Sequence, residues 1–367
     1  MRLCFTGDKK LIKFEFLNTN MKNPEERVIW QNTDEILRLL NGRPLRIAVL
    51  THLNPDGDTL GSSLALQLLF QKMNHQCNVI SPNDYPDFLK WLPGNEYITI
   101  LKHAHNKALG ILHSAEMIIA ADFNEMKRFR DLKEAFENSA AFKLLIDHHP
   151  GPLMKVDCML SDPRASSTAE LVYRFLVDLG YRDLIDRDIA TCLFTGIMTD
   201  TGCFSYNSSN RHTWETVADL LDFGINKDEI YSLTYDNYSE HRMRFLGFSL
   251  NEKMVVFPEY RTGFIALSKE DQSRYHFEVG DSEGFVNYPL SIKGIKFSAL
   301  FLEKEDHIKI SFRSRGNFPV NEFSKLHFNG GGHKNASGGE DYCSLTESVN
   351  RFTKLLTQYR DQLYPDE

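Results

Sequence analysis

The sequence lacks the features of a membrane-spanning, secreted or disulfide-linked protein. No apolar run approaches the roughly 20 residues that a helix needs to cross a bilayer. Charged residues interrupt every apolar run near the N-terminus, which does not resemble a secretory signal. The six cysteines are widely spaced and form no CxxC pair, a pattern that argues against a zinc knuckle or a disulfide framework. We therefore expect a cytoplasmic protein that does not contact membranes.

The sequence also has no excess of basic residues. Lys and Arg number 42 and Asp and Glu number 50, which gives a net charge of −8. Proteins that coat long nucleic acids depend on a basic surface, so we expect no long duplex as a partner. Short anionic ligands are compatible with this charge, because a metal ion or a local basic patch can hold them.

Length and hydrophobic pattern indicate two domains. A chain of 367 residues is too long for one small core. Apolar strand-like runs alternate with helical patterns up to about residue 224, which predicts an α/β domain with a mostly parallel sheet. Shorter alternating segments then predict a smaller mixed α/β domain. The expected divisions are an N-terminal arm at 1–24, a first domain at 25–224, a partly helical linker at 225–248 and a second domain at 249–367.

Carboxylates and imidazoles stand at the ends of four separate apolar segments of the first domain. Buried together without cations, these carboxylates would repel one another and take up protons. Two divalent ions would stabilise them instead, and mixed nitrogen and oxygen donors suit Mn²⁺, Mg²⁺ or Co²⁺ better than thiol-seeking metals. The segments predict a binuclear site at the carboxyl ends of the strands. The candidate ligands are His52, Asp56, Asp58, Asp122, His148 and Asp200.

Each of these segments has an ordinary explanation when it is taken alone. The sequence PDGD, residues 55–58, is typical of a turn, and Asp122 and Asp200 are typical helix caps. His52 alone would more often be a buried or loop histidine. The conjunction of four such segments favours the metal site. Two ions would activate water and clamp a phosphoryl group between them.

The motifs resemble those of a known family. The sequences HLNPDGDTLGS, AADFN, IDHHP and GIMTDTGCF match, in this order, the four motifs of the DHH phosphoesterase superfamily. GGGHKNASGG, residues 330–339, resembles the glycine-rich signature of its DHH-associated domain. The two-domain arrangement is similar to the group of bifunctional oligoribonucleases (nanoRNases) and 3′-phosphoadenosine 5′-phosphate (pAp) phosphatases. The resemblance implies a metal-dependent hydrolase of phosphoric esters, with its active site in the cleft between the domains.

The resemblance also implies roles for the candidate residues. The first ion would be held by His52, Asp56 and Asp122. The second would be held by Asp58, His148 and Asp200, with Asp122 bridging the two ions. His149 would be the catalytic residue that faces the substrate phosphate, and Asp147 would orient an imidazole. Because successive residues of a strand point to opposite sides, we expect His148 to face the metal and His149 the substrate.

The second domain is predicted to hold the substrate. Gly331 and Gly332 would let the backbone approach the ligand closely, with His333 over a phosphate or a base. Arg313 and Arg315 lie two residues apart on a predicted strand and would share one face. Five basic residues and one acid between 307 and 339 give this segment a charge of +4.

Four further residues are weaker candidates. Asn124 and Arg128, just after the second motif, would also reach the substrate. Phe204 and Tyr206 would either stack a base or belong to the core.

The substrates implied by the resemblance are short oligoribonucleotides, degraded to 5′-mononucleotides, and pAp, converted to AMP and phosphate. The main alternative is a phosphodiesterase of cyclic dinucleotides or their linear products. A family II pyrophosphatase would share the metal ligands, but the GGGH signature argues against it. A non-catalytic RNA-binding protein would be expected to have broken metal motifs, and all four are intact. A homodimer is left open.

Overall fold

The computed structural model describes residues 29–30, 33–123 and 132–364. The expected N-terminal arm, residues 1–24, lies outside the described residues. Among the helices that the structure describes, none combines the length and apolar character needed to span a membrane. The cytoplasmic location stays a prediction.

The first sheet has seven strands within the described residues, in the order β1-β7-β6-β5-β2-β3-β4. Six of them run parallel, and β1 pairs antiparallel with β7 at one edge. The central strands are buried on both faces, as is typical of parallel sheets covered by helices. The strands are β1 (Ile29–Trp30), β2 (Arg46–Leu50), β3 (Gln76–Ser81), β4 (Thr99–Ile100), β5 (Met117–Ala121), β6 (Phe142–Asp147) and β7 (Cys158–Ser161).

Helices cover both faces of this sheet. The helices are α1 (Thr33–Gly42), α2 (Gly57–Lys72), α3 (His105–Ser114), α4 (Lys133–Asn138), α5 (Thr168–Asp178), α6 (Arg187–Asp200), α7 (Arg211–Leu221) and α8 (Lys227–Tyr235). One core contains side chains of α1, α2, α5 and α6, and the other contains side chains of α3 and α4. The predicted α/β architecture is confirmed.

Glycines allow α2 and α6 to cross with their backbones in contact. A methyl group on Gly61 would overlap the Cys192 carbonyl oxygen, and one on Gly57 would overlap the Thr199 side chain. A methyl group on Gly196 would lie 2.6 Å from the Ala169 Cβ. This close crossing brings the beginning of α2 next to the end of α6.

The second sheet has six strands within the described part of the chain, in the order β12-β13-β11-β10-β9-β8. Its β9 and β10 are parallel and its other pairs are antiparallel. Phenylalanines fill its core, among them Phe297, Phe312, Phe323 and Phe352. The strands are β8 (Met254–Phe257), β9 (Thr262–Leu267), β10 (Phe297–Glu303), β11 (Ile308–Ser314), β12 (Gly331–His333) and β13 (Ala336–Asp341), and its helices are α10 (Lys269–Arg274), α11 (Val320–His327), α12 (Leu345–Leu356) and α13 (Arg360–Leu363).

The segment expected as a linker is largely helical. It contains α8 and a further helix, α9 (Glu240–Phe248). Ile230 of α8 packs into a core of the first sheet, whereas Phe245 of α9 packs with Ile265 of the second sheet. We therefore propose that the two domains divide between α8 and α9, inside the predicted linker of 225–248.

Candidate active site

The structure brings the predicted metal ligands together at the carboxyl edge of the parallel sheet. The strands β6, β5 and β2 are neighbours in this sheet, and a candidate ligand follows each of them within a few residues. The helix α2 begins, and α6 ends, at the same edge. The residues that converge are His52, Asp56, Asp58, Asp122, His148 and Asp200.

Asp122 lies at the centre of the group. Its Oδ2 is 3.5 Å from the Nε2 of His52, and its Oδ1 is 3.7 Å from the Nε2 of His148. Thr168 donates a hydrogen bond of 3.0 Å to Oδ1, and the Thr59 hydroxyl donates to Oδ2. The backbone of Asp122 is left-handed, with φ of 67°, a conformation that aspartate tolerates better than most residues. Each oxygen of this carboxylate therefore faces a different imidazole.

Two sets of ligand atoms flank Asp122. In the first set, the Nε2 of His52 is 3.7 Å from Asp56 Oδ2, and Asp56 also caps the start of α2. In the second set, the Nε2 of His148 is 3.4 Å from Asp200 Oδ2 and 3.9 Å from Asp58 Oδ2. Within each set, ligand atoms lie within 4.8 Å of one another. These nitrogen and oxygen donors are of the type and spacing that divalent ions need.

Burial and mutual repulsion perturb the carboxylates of the second set. Burial, followed by the charges of Asp122 and Asp200, raises the pKa of Asp58 well above its ordinary value, although two amides at the start of α5 donate to it. Burial also raises the pKa of Asp200 to about 7, against the opposing charge of His148. Without cations these carboxylates hold protons, which a bound metal would displace.

The imidazoles and Asp122 shift in the complementary direction. Burial alone would lower the pKa of His52, but the hydrogen bonds and charges of Asp122 and Asp56 outweigh it and raise that pKa to about 9. Burial would raise the pKa of Asp122, yet the three neighbouring imidazoles lower it. Asp122 therefore stays ionised at the centre of a cluster whose outer members hold protons.

Asp147 holds His149 through two hydrogen bonds. The Nδ1 of His149 is 2.8 Å from Asp147 Oδ1, and the backbone N–H of His149 donates to Asp147 Oδ2 at 3.1 Å. The expectation that His148 and His149 point to opposite sides is wrong. Because β6 ends at Asp147, both histidines follow the strand, and their ring centroids lie only 5.0 Å apart.

The second domain reaches this site through the tip of β12. The His333 ring stacks on His149, with centroids 4.4 Å apart and planes 23° apart, and its centroid is 4.7 Å from that of His148. Gly332 has a φ of 141°, and a methyl group there would lie 2.6 Å from the Ala336 carbonyl oxygen. Gly331, by contrast, has open space around it. The site therefore lies in the cleft between the domains, as predicted.

The other predicted substrate contacts fare differently. Arg313 lies on β11, and its charge acts on Asp200 across the cleft. Arg315 lies beyond the end of β11 and is exposed, so the two arginines do not share a strand face. Its role stays a prediction. Asn124 and Arg128 lie outside the described residues.

Sequence reasoning missed two groups at the site. Thr59 and Thr168 donate to opposite oxygens of Asp122. Thr59 stands inside the first motif, where its side chain could have been expected to cap α2. Thr168 comes from a distant helix start, and the sequence carries no signal of its contact with Asp122.

Two domain-family models match the chain. The model described as "DHH family, N-terminal domain" matches residues 46–197, and the "DHHA1 domain" model matches residues 267–360. The chain belongs to the DHH family. Members of this family hydrolyse phosphoric esters, so the predicted family and the predicted enzyme class are confirmed.

Individual relatives agree with this assignment. The DHH protein is 24% identical to the bifunctional oligoribonuclease and PAP phosphatase NrnA of Bacillus subtilis, over 79% of this chain and 88% of NrnA. The crystal structure of an exopolyphosphatase-related protein from Bacteroides fragilis matches with 42% identity and a TM-score of 0.86, over 90% of this chain and 97% of that protein. The cyclic-di-AMP phosphodiesterase GdpP of B. subtilis is 25% identical over 95% of this chain, which spans 53% of GdpP.

Proposed function

We propose that this DHH protein hydrolyses short oligoribonucleotides to 5′-mononucleotides and pAp to AMP and phosphate, with two divalent ions of which Mn²⁺ is preferred and Mg²⁺ or Co²⁺ are alternatives. The observation that carries the proposal is the position of Asp122, whose two oxygens each face a different set of ligands. The name of the B. subtilis relative, which includes both activities, supports the choice of substrates.

The ligand sets assign the two ions. The first would be held by His52, Asp56 and Asp122, and the second by Asp58, Asp122, His148 and Asp200. When bound, such a pair of ions activates water as the nucleophile and neutralises charge on the phosphoryl group. The hydroxyls of Thr59 and Thr168 hold the Asp122 carboxylate in the orientation that serves both sets.

His149 is the residue placed to handle the leaving group. Asp147 accepts the Nδ1–H of His149, which fixes the ring and leaves Nε2 as the nitrogen that exchanges a proton with the substrate. Asp147 is fully buried and accepts from two nitrogens of the same residue, so it acts by positioning. A proton on Nε2 would pass to the oxygen that leaves when the phosphate ester is cleaved.

The second domain supplies the binding groups for the rest of the substrate. His333 lies on His149, so it contacts whatever occupies the space beside that ring. Arg313 offers a guanidinium to a phosphate on the far side of the cleft. A cleft covered in this way favours short ligands over long strands.

One experiment separates this function from its rivals. Purified protein with Mn²⁺ would be assayed side by side on pAp, the dinucleotide pApA, a cyclic dinucleotide, pyrophosphate and a 24-mer RNA. We expect pAp and pApA to give the highest kcat/KM. A cyclic dinucleotide as the best substrate would favour the activity in the name of GdpP. Pyrophosphate as the best substrate would contradict the proposal and favour a phosphoanhydride.

A further inference from the structure

The chain makes a left-handed turn directly after Asp200. Gly202, Cys203 and Phe204 have φ values of 54°, 54° and 63°. Residues with side chains avoid this region, and two in succession persist only where the surrounding structure holds them. Backbone hydrogen bonds from Cys203 to Met198 at 2.8 Å and from Ser205 to Thr201 at 2.9 Å hold the turn. Such strained backbone is often found where a side chain must be aimed at a ligand.

The turn sends two aromatic side chains to different places. Phe204 packs into the core, with its ring centroid 5.1 Å from Trp214 and 6.1 Å from Phe194. Tyr206 instead folds back against Gly202, where a methyl group would lie 2.5 Å from the ring carbon Cζ, and 47% of the residue remains exposed. Across the described residues, no hydrogen bond of the Tyr206 hydroxyl is found. The ring therefore has no evident part in the core.

Tyr206 lies in the cleft between the metal ligands and the second domain. Its neighbours include Asp200, which we assign to the second ion, and Arg313 of the opposite domain, whose charges both act on the phenol. A flat aromatic ring that is open to solvent and lies between a phosphate-cleaving centre and a phosphate-binding arginine is suited to a nucleobase. Aromatic rings accept any base, because every base has a π face.

We propose that Tyr206 stacks on the nucleobase of the nucleotide whose phosphate is cleaved. The inference rests on the proposed function and names how that site recognises a nucleotide. It accounts for one site accepting both an adenine nucleotide and short RNA of mixed sequence, because stacking gives affinity with little base preference.

The test compares pAp with its abasic counterpart, 1-O-methyl-ribose 3,5-bisphosphate, in wild type, Tyr206→Phe, Tyr206→Trp and Tyr206→Leu. In wild type we expect the KM for pAp to be about tenfold lower than for the abasic compound. Tyr206→Leu should raise the KM for pAp by about tenfold and leave the KM of the abasic compound unchanged. Tyr206→Phe and Tyr206→Trp should both keep the preference for pAp, since both keep a ring. Melting temperature and Mn²⁺ affinity serve as controls for folding.

The outcomes separate this inference from the function on which it rests. If wild type cleaves neither compound, the proposed function fails. If wild type cleaves both with equal KM, the function stands and base stacking is refuted, whatever the variants do. A Tyr206→Leu variant that loses both substrates in equal proportion while keeping its Mn²⁺ affinity would also refute stacking.

Discussion

The carboxylate of Asp122 joins two imidazoles that are 96 residues apart in sequence, with Oδ2 3.5 Å from His52 and Oδ1 3.7 Å from His148. We predict that Asp122→Asn abolishes binding at both ion sites, because it removes the charge that they share. Asparagine also tolerates the left-handed backbone at this position, so the fold should persist. Calorimetric titration should show a loss of Mn²⁺ affinity beyond the ~10–100-fold that removal of an outer partner costs.

His149→Ala should behave in the opposite way. We assign His149 to the leaving group and not to a metal, so this variant should keep its Mn²⁺ affinity and lose turnover of pAp by at least about 100-fold. The measurement pairs Mn²⁺ titration with initial rates for the two variants. Equal losses of metal in Asp122→Asn and His149→Ala would contradict the division of roles.

Stability without metal should fall as the pH rises. The pKa of Asp200 is raised from 3.8 to about 7 and that of His52 from 6.5 to about 9, so the folded protein binds more protons than the unfolded chain across this span. The stabilisation from Asp200 is lost as the pH rises from about 4 to 7, and that from His52 as the pH rises further toward 9. Asp122, whose pKa is lowered, affects stability only in acid.

Urea unfolding in EDTA at pH 6 and pH 8.5 tests this dependence. We expect a decrease in the free energy of unfolding on the order of 1–3 kcal/mol at the higher pH. Added Mg²⁺ should reduce the decrease, because bound cations replace the protons. Metal-free protein that is more stable at pH 8.5 would show that the cluster is not protonated as the structure indicates.

The crossing of α2 and α6 should be intolerant of added side chains. Gly61→Ala would place a methyl group against the Cys192 carbonyl oxygen and push the two helices apart. We expect a loss of about 1–3 kcal/mol in stability and weaker Mn²⁺ binding, because Asp58 and Asp200 would separate. Gly110→Ala is the matched control, since this glycine lies exposed in α3 with nothing nearby and alanine there should stabilise by about 0.5–1 kcal/mol.

Arg313 and Arg315 form a natural pair of test and control. Arg313→Ala should raise the KM for pAp by about tenfold, because it removes a charge-assisted contact to a phosphate in the cleft. Arg315→Ala should leave the KM within about twofold, since this exposed residue lies past the end of β11 and lost surface contacts cost little. Equal effects of the two substitutions would place the phosphate elsewhere.

Much of the site could be predicted from local sequence, because each ligand follows an apolar segment whose type is readable. The six candidate ligands and the helix that ends at Asp200 are of this kind. The approach of Asp58 to Asp200 could not be predicted, since it depends on glycines in two helices more than 120 residues apart.

The wrong expectations fell where a strand ended earlier than its pattern suggested. The strand β6 stops at Asp147 and β11 stops at Ser314, so the alternation of side chains ends before His148 and before Arg315. Strand ends are set by pairing with neighbouring strands, which a single sequence does not display.

The most direct test counts the ions that the intact protein holds while it works. Mn²⁺ titration of metal-free protein, with pAp hydrolysis followed in the same samples, should give two ions per chain and activity that appears only as both sites fill. Phosphate release that reaches its maximum with one ion bound, or no hydrolysis of any phosphate ester at saturating Mn²⁺, would contradict the binuclear centre.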